Sequence, residues 1–302
     1  MIKPIFLLIK KIFLEINHFF DKGIYFLLNW RENPSKVYFF LIRIKMRILL
    51  IIIRVQNLLS GQVDSLFPPP EIITHWKIEN FKESGEKFVG YLIKACGLNP
   101  NEKVLDVGCG IGRMAIPLTK YLTSGSYDGF DIVESGIKWC REYITRRFPK
   151  FHFQKADIYN RAYNPMGKYK ASEYRFPYKD ESFDFIFLSS IFIHMLPEEV
   201  ENYFSEIARV LKSKGRCVIT FFLLNDESLK TIDAKLAAFN LDFKYEYEGY
   251  RLIDKNIPEA GIAYDEEIVR SFYKKYGLSI VEPFQYGYLR SQDIVLAVKE
   301  KS

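Results

Sequence analysis

The chain has 302 residues, of which 48% are hydrophobic, so it is long enough for one α/β domain of about 220 residues with a sizeable core and an additional segment. Its formal net charge is +6 at pH 7. The four cysteines have no metal-ligand spacing and give no disulfide framework, which excludes a disulfide-stabilised scaffold and favours a reducing, cytoplasmic compartment.

The first 60 residues differ in composition from the rest of the chain. They contain ten basic and three acidic residues, so they carry a net charge of +7 and the remainder carries −1. At about 100° per residue, four basic side chains fall on one helical stripe beside an apolar face, namely Lys36, Arg43, Arg47 and Arg54. We therefore predict that residues 1–65 form an extension of two basic amphipathic helices, with Ser35 as the N-cap candidate of the second.

Three functions compete for this extension. A transmembrane span is disfavoured because the apolar run 37–53 is short and contains basic residues. A signal peptide is disfavoured because Lys10 and Lys11 interrupt the apolar core and no small-residue cleavage site follows. Peripheral contact of the helix pair with an anionic membrane fits the basic stripe, whereas helices that cap the domain, cover a ligand or dimerise are the alternative. The oligomeric state is left open.

Residues 104–114, VLDVGCGIGRM, combine an apolar strand-like run, three alternate glycines and the start of a helix. Glycine allows positive φ and close approach of a ligand to the backbone, and a helix N-terminus offers N–H groups to a polar or anionic ligand. The spacing does not fit the G-x-G-x-x-G pattern of dinucleotide sites, because the sixth position from Gly108 is Arg113. A nicotinamide-dependent oxidoreductase is therefore disfavoured.

This segment resembles the first motif, acid-x-G-x-G-x-G, of class I S-adenosylmethionine-dependent methyltransferases. The resemblance covers roughly residues 71–299 and implies a Rossmann-like fold and S-adenosylmethionine as cofactor. It also implies that the glycine loop lies against the methionine part of the cofactor, with Arg113 as a candidate partner of the cofactor carboxylate. The loop residues assigned to the cofactor are Asp106, Gly108, Cys109, Gly110 and Gly112. We assign no chemistry to Cys109, where a small residue fits.

The next two predicted strands also end near acidic residues. Residues 126–131 end in Asp131, whose carboxylate can accept hydrogen bonds from both ribose hydroxyls, with Asp128 as a weaker candidate. Ile132 is assigned to the same site. Residues 151–157 predict a third strand, and the resemblance places its last residue against the adenine amino group and the following residue against the ring: Asp157 and Ile158.

Further elements complete an alternation of strands and helices. A helix over residues 197–211 is predicted from a proline in its first turn and one apolar face. The predicted elements are the helix 197–211 and the strands 183–190, 216–222, 278–282 and 293–298. The pattern predicts an α/β fold over residues 66–302, with a doubly wound, mostly parallel seven-stranded sheet and the N-terminal helical extension. Residues 225–265 are expected to form an insertion or cap, with an extra strand at 245–250.

The candidate catalytic residue is His194, which follows the fourth strand and could serve as the general base for an oxygen acceptor. Ser189 and Ser190 are alternatives that could touch the methionine end of the cofactor. The acceptor is expected between residues 160–175 and 225–265, and it is expected to be a small or lipid-linked molecule met at the membrane. Nucleic acid is disfavoured because the catalytic part has no basic patch, and the chemistry requires no metal. The remaining alternative is a non-catalytic, cofactor-binding scaffold tethered by the basic extension.

Overall fold

The computed structural model describes residues 66–68, 78–161, 163–225, 242–289 and 292–301. The chain divides into two compact units, residues 1–81 and 82–302. In the described part of the first unit, the rings of Phe67 and Phe81 pack edge to face with centroids 5.8 Å apart. The predicted amphipathic helices of residues 1–60 lie outside the described residues, so they and the boundary predicted after residue 65 stay predictions.

The second unit is built on an eight-stranded sheet. The strands of the chain are β1 Lys103–Val107, β2 Ser126–Asp131, β3 Phe151–Lys155, β4 Phe183–Leu188, β5 Leu211–Phe221, β6 Leu223–Leu224, β7 Tyr245–Tyr247, β8 Tyr250–Leu252, β9 Ile262–Asp265, β10 Leu278–Ile280, β11 Gln285–Leu289 and β12 Gln292–Lys299. The order across the large sheet is β10-β12-β5-β4-β1-β2-β3, and β11 pairs with β12. Strands β1 to β5 are parallel, whereas β12 runs antiparallel to its neighbours. The predicted mostly parallel sheet is confirmed, with β11 as an additional strand.

The first helix precedes β1, and the following helices lie between strands as the alternation predicts. They are α1 Ile78–Lys94, α2 Ala115–Tyr121, α3 Glu134–Cys140, α4 Pro197–Val210 and α5 Glu266–Lys275. Helix α4 buries an apolar face that includes Val200, Phe204 and Ile207, and the Glu199 carboxylate accepts a hydrogen bond of 2.7 Å from the Leu196 N–H at its start. The predicted helix is one residue too long, because Leu211 already pairs with Phe183 in the sheet.

The parallel arrangement brings distant parts of the sequence to one edge of the sheet. Strand β1 has β2 on one side and β4 on the other, so the strand order reverses at β1. Ligands of such sheets bind beyond the carboxyl ends of the strands at this reversal. We call this side the carboxyl edge.

The insertion and β6, which directly precedes it, form a second, four-stranded sheet in the order β6-β9-β8-β7. The single strand predicted at 245–250 is wrong, since β7 and β8 form a hairpin there. Gly249 has φ +80° in the turn between them, a conformation that glycine adopts without strain. Because β6 follows β5 after one residue, this sheet begins at the carboxyl edge. None of the helices in the described ranges is long and apolar enough to cross a membrane.

Candidate active site

The three loop glycines all have positive φ, with values of +83°, +54° and +76° for Gly108, Gly110 and Gly112. A Cβ atom on Gly108 would lie 2.0 Å from Ile191 Cδ1, and one on Gly112 would lie 2.7 Å from Ile144 Cδ1. Apart from Gly110 itself and its two chain neighbours, no atom of the described structure would lie within 4 Å of a Cβ on Gly110. Packing therefore requires two of the glycines, whereas the space beside Gly110 is open to a ligand.

Asp106 is fully buried at the end of β1. Its Oδ2 accepts a hydrogen bond of 2.6 Å from the Tyr127 hydroxyl, and its Oδ1 has no hydrogen-bond partner among the described residues. Burial raises the pKa of Asp106 to about 7, although the Tyr127 hydrogen bond and the charge of Arg113 act in the opposite direction. An unpartnered buried carboxylate oxygen is a natural acceptor for a donor group of a bound ligand.

Asp131 ties the end of β2 to the glycine loop. Its Oδ2 accepts a hydrogen bond from the Gly110 N–H and its Oδ1 accepts one from the Val133 N–H, each of 2.8 Å. Burial raises the pKa of Asp131, and the backbone hydrogen bonds partly offset this rise. Each carboxylate oxygen keeps a second lone pair, so the predicted ribose contact is compatible with this geometry. Ile132 is partly buried against the core.

The third predicted acid lies beyond the strand rather than at its last residue. Strand β3 ends at Lys155, and the Asp157 carbonyl accepts hydrogen bonds from the N–H groups of Lys168 and Tyr169. The Asp157 carboxylate is 3.8 Å from Lys168 Nζ, and Ile158 beside it is buried. The weaker candidate Asp128 lies within β2, 3.5 Å from a ring nitrogen of His152. The binding roles of these residues stay predictions.

Ser189 and Ser190 follow β4 at the carboxyl edge. Ser189 is buried, and its hydroxyl has no hydrogen-bond partner among the described residues. Ser190 has φ +63° and donates its N–H to Thr220 Oγ1 at 2.8 Å. Gln292 Nε2 donates to Ser190 Oγ at 3.0 Å, and Thr220 Oγ1 donates to Gln292 Oε1 at 2.7 Å. This network holds a strained residue at the ends of three strands.

His194 ends a short helical turn, Phe192–His194, that follows β4. Its Nδ1 lies 2.7 Å from the backbone carbonyl oxygen of Glu259 in the insertion. Because a carbonyl only accepts hydrogen bonds, Nδ1 carries the proton, and Nε2 is the basic nitrogen of the neutral ring. The Tyr163 ring packs edge to face with the imidazole, with centroids 6.2 Å apart. The insertion thus selects the tautomer of His194.

Arg113 and Cys109 are both buried near Asp106, and Cys109 is also near Asp131. Arg113 is 7% exposed, and its charge acts on the Asp106 carboxyl. Burial raises the pKa of the Cys109 thiol well above its ordinary value, which keeps it protonated and unreactive. The need for a small side chain is therefore a sufficient reason for a cysteine at position 109.

Sequence reasoning missed Tyr127, Thr220, Gln292 and the carbonyl of Glu259. Tyr127 is a fully buried tyrosine, and a buried tyrosine hydroxyl usually has a hydrogen-bond partner. That rule could have marked Tyr127 in the sequence, but it could not name Asp106 as the partner. The other contacts join residues that are 30 to 102 positions apart in the chain.

Residues 105–219 match the protein family described as the methyltransferase domain. The sterol 24-C-methyltransferase erg6 of Schizosaccharomyces pombe is 26% identical over 152 residues, which cover 50% of this chain and 36% of that protein. A phthiotriol/phenolphthiotriol dimycocerosates methyltransferase of Mycobacterium tuberculosis is 32% identical over 114 residues, which cover 38% of this chain and 35% of that protein. The chain therefore spans about a third of the length of these relatives.

Among solved structures, the PH0226 protein of Pyrococcus horikoshii OT3 superposes with a TM-score of 0.52 at 18% identity. The superposition covers 74% of this chain and 92% of that chain. This likeness confirms the fold, namely a Rossmann-like sheet with helices on both faces.

Proposed function

We propose, from the class I S-adenosylmethionine-dependent methyltransferase domain that this chain carries, that the protein methylates a lipid-like acceptor. The cofactor supplies a methyl group on a positively charged sulfur. The protein must therefore align the acceptor with this group and exclude water. The domain match and the glycine spacing both disfavour the nicotinamide alternative.

The described residues fit this cofactor. Asp106 Oδ1 and Ser189 Oγ are buried polar atoms without hydrogen-bond partners among the described residues. Asp106 lies near the end of β1 and Ser189 directly follows β4, so both are at the carboxyl edge. Gly110 leaves open space beside its backbone. We propose that Asp106 and Ser189 hold the polar methionine end, that Asp131 holds the ribose, and that Asp157 and Ile158 hold the adenine.

Two observations support a lipid-like acceptor. The relatives described above are named for a sterol and for dimycocerosates. The extension of residues 1–60 is basic and apolar, and this composition fits a surface where lipids are found. The proposal places the protein in the cytoplasm in peripheral contact with a membrane.

The observation that carries methylation at oxygen is the hydrogen bond between His194 Nδ1 and the Glu259 carbonyl. It leaves Nε2 free of a proton in the neutral ring, so Nε2 can take the proton of an acceptor hydroxyl as the oxygen is methylated. The same hydrogen bond stabilises the imidazolium that results, because Nδ1–H still donates to the carbonyl.

The test uses the full chain, labelled S-adenosylmethionine and fractionated lipid extracts. We expect label in a lipid product, as a methyl ether or ester. His194→Ala should lower turnover by about 100-fold or more while cofactor affinity stays within about twofold. His152→Ala is the matched control, because His152 is an exposed histidine on β3 paired with Asp128.

Three results would contradict parts of this proposal. Cofactor binding without label in any fraction would indicate the tethered scaffold. A methyl group on carbon with normal turnover of His194→Ala would exclude the histidine as base. Label only in water-soluble products would exclude a lipid-like acceptor.

A further inference from the structure

Residues 158–161 and 163–170 lie in a surface segment at the rim of the carboxyl edge, which we call the aromatic loop. It contains three basic residues and no aspartate or glutamate, and the carboxylates of Asp157 and Glu173 just outside it lie 3.8 Å from Lys168 Nζ and 4.0 Å from Lys170 Nζ. Tyr159, Met166 and Tyr169 are 47%, 87% and 54% exposed. The basic side chains are exposed as well, and they are Arg161, Lys168 and Lys170. Exposed aromatic and apolar side chains among cations are typical of segments that lie in a membrane interface.

The loop is held by its backbone and by asparagines. The Tyr159 N–H donates to the Tyr169 carbonyl at 2.8 Å, and Asn160 and Asn164 exchange backbone hydrogen bonds of 3.1 and 2.9 Å. The Gly167 N–H donates to the Asn164 carbonyl at 3.0 Å. Tyr169 also packs against the ring of Tyr174 at a centroid distance of 6.2 Å. The outer side chains of Tyr159 and Met166 take no part in these hydrogen bonds, so the loop does not need them for its shape.

The loop borders the candidate active site. Its first residue is the buried Ile158, and its Tyr163 packs against His194. Arg161 Nη1 donates to the Asn256 carbonyl at 2.9 Å, which fastens the loop to the insertion. Whatever the loop contacts is therefore brought to the mouth of the site.

We propose that the aromatic loop docks on an anionic lipid bilayer, with Met166 and Tyr159 among the headgroups and the basic side chains at the lipid phosphates. This proposal rests on the proposed function, because the docked loop would present a membrane-borne acceptor to His194. Charge favours the bilayer over a second copy of this chain, because the three cations of the loop outnumber the neighbouring carboxylates of Asp157 and Glu173, and two such surfaces face to face would repel each other. It is a second contact, independent of residues 1–60.

The chain allows a direct test of insertion. All four native cysteines are free and buried, so Met166→Cys provides one accessible thiol for an environment-sensitive nitrobenzoxadiazole dye. Vesicles of phosphatidylcholine with phosphatidylserine should shift its emission to the blue and increase its intensity. The matched control is Ser124→Cys, an exposed position just before β2 on the opposite edge of the sheet, where the dye should not respond.

A charge reversal tests the electrostatic part. Each charge near an anionic surface changes the partition coefficient by about fivefold, so Lys170→Glu should lower vesicle binding of the full chain by about 25-fold. Lys120→Glu makes the same change in net charge near the end of α2, away from the carboxyl edge, and should have a much smaller effect.

Four results would overturn the proposal. The first is that the full chain does not bind anionic vesicles, and the second is that the dye at position 166 stays unchanged when the chain binds them. The third is an equal effect of the two charge reversals on vesicle binding. The fourth is a dye response that depends on protein concentration in the absence of lipid. The last result would instead indicate self-association. None of these measurements involves methyl transfer, and calorimetry of the same variants with S-adenosylmethionine reports separately on the cofactor site.

Discussion

Replacing Gly110 by alanine should have two distinguishable effects, namely backbone strain in the loop and obstruction of the cofactor site. Alanine at φ +54° costs about 1–2 kcal/mol, because its Cβ crowds the carbonyl in the left-handed region. Apart from the residue itself and its chain neighbours, the added Cβ has no atom of the described structure within 4 Å, so no packing clash adds to this cost. We expect the free energy of unfolding to fall by about 1–2 kcal/mol and the fold to persist.

The effect on cofactor binding should be larger than the strain explains. If S-adenosylmethionine contacts the Gly110 backbone, the new methyl group occupies space that the cofactor needs. Overpacking by one such group costs about 1–3 kcal/mol, which corresponds to a rise in Kd of roughly 5- to 150-fold. The Gly110 N–H is retained, so its hydrogen bond to Asp131 is not the cause.

Gly277 provides a matched control. It has φ +65°, and a Cβ there also has no described atom within 4 Å, but it lies between α5 and β10. Denaturant unfolding should give similar losses of stability for Gly110→Ala and Gly277→Ala. Calorimetry should then show weakened S-adenosylmethionine binding only for Gly110→Ala. Normal binding by Gly110→Ala, or equal weakening in both variants, would refute the assignment of the open space to the cofactor.

Other predictions concern buried groups and the extension. Since the pKa of Asp106 is raised to about 7, the folded state binds an extra proton below that pH, and this group contributes most stability at low pH. The free energy of unfolding should therefore gain a contribution as the pH falls from about 7 to about 4, which Asp106→Asn should abolish in denaturant titrations. Tyr127→Phe should cost about 1–3 kcal/mol because it removes the hydrogen-bond donor to a buried carboxylate, whereas Tyr273→Phe, which removes a buried hydroxyl without a hydrogen-bond partner in the described structure, should be neutral or stabilising. A similar loss in both variants would argue against the hydrogen bond. Changing Arg43 and Arg47 to glutamate, or raising the salt concentration, should weaken flotation of the full chain with anionic liposomes. A chain that stays in the soluble fraction would favour a capping or dimer role, and one that resists alkaline extraction would favour a span.

Much of the sheet could be predicted because the signals are local. The strand Ser126–Asp131 has the predicted bounds, and the apolar run Phe183–Leu188 lies in the predicted fourth strand. Parallel strands place their carboxyl ends together, so acids at successive strand ends predicted one shared site. The hairpin at 245–252 was not predicted, because period-two alternation does not show where a strand reverses.

The sequence by itself indicated the glycine loop, since the freedom to adopt positive φ is a property of each glycine residue. It also determined the order of the acidic residues along the chain and the match of residues 105–219 to the methyltransferase domain. Only the tertiary structure decided that the Tyr127 hydroxyl holds Asp106, that Gln292 joins Ser190, and that the Glu259 carbonyl selects the His194 tautomer. These contacts join residues 21, 102 and 65 positions apart, and a hydrogen bond between such residues depends on chain packing that leaves no periodic pattern in the sequence.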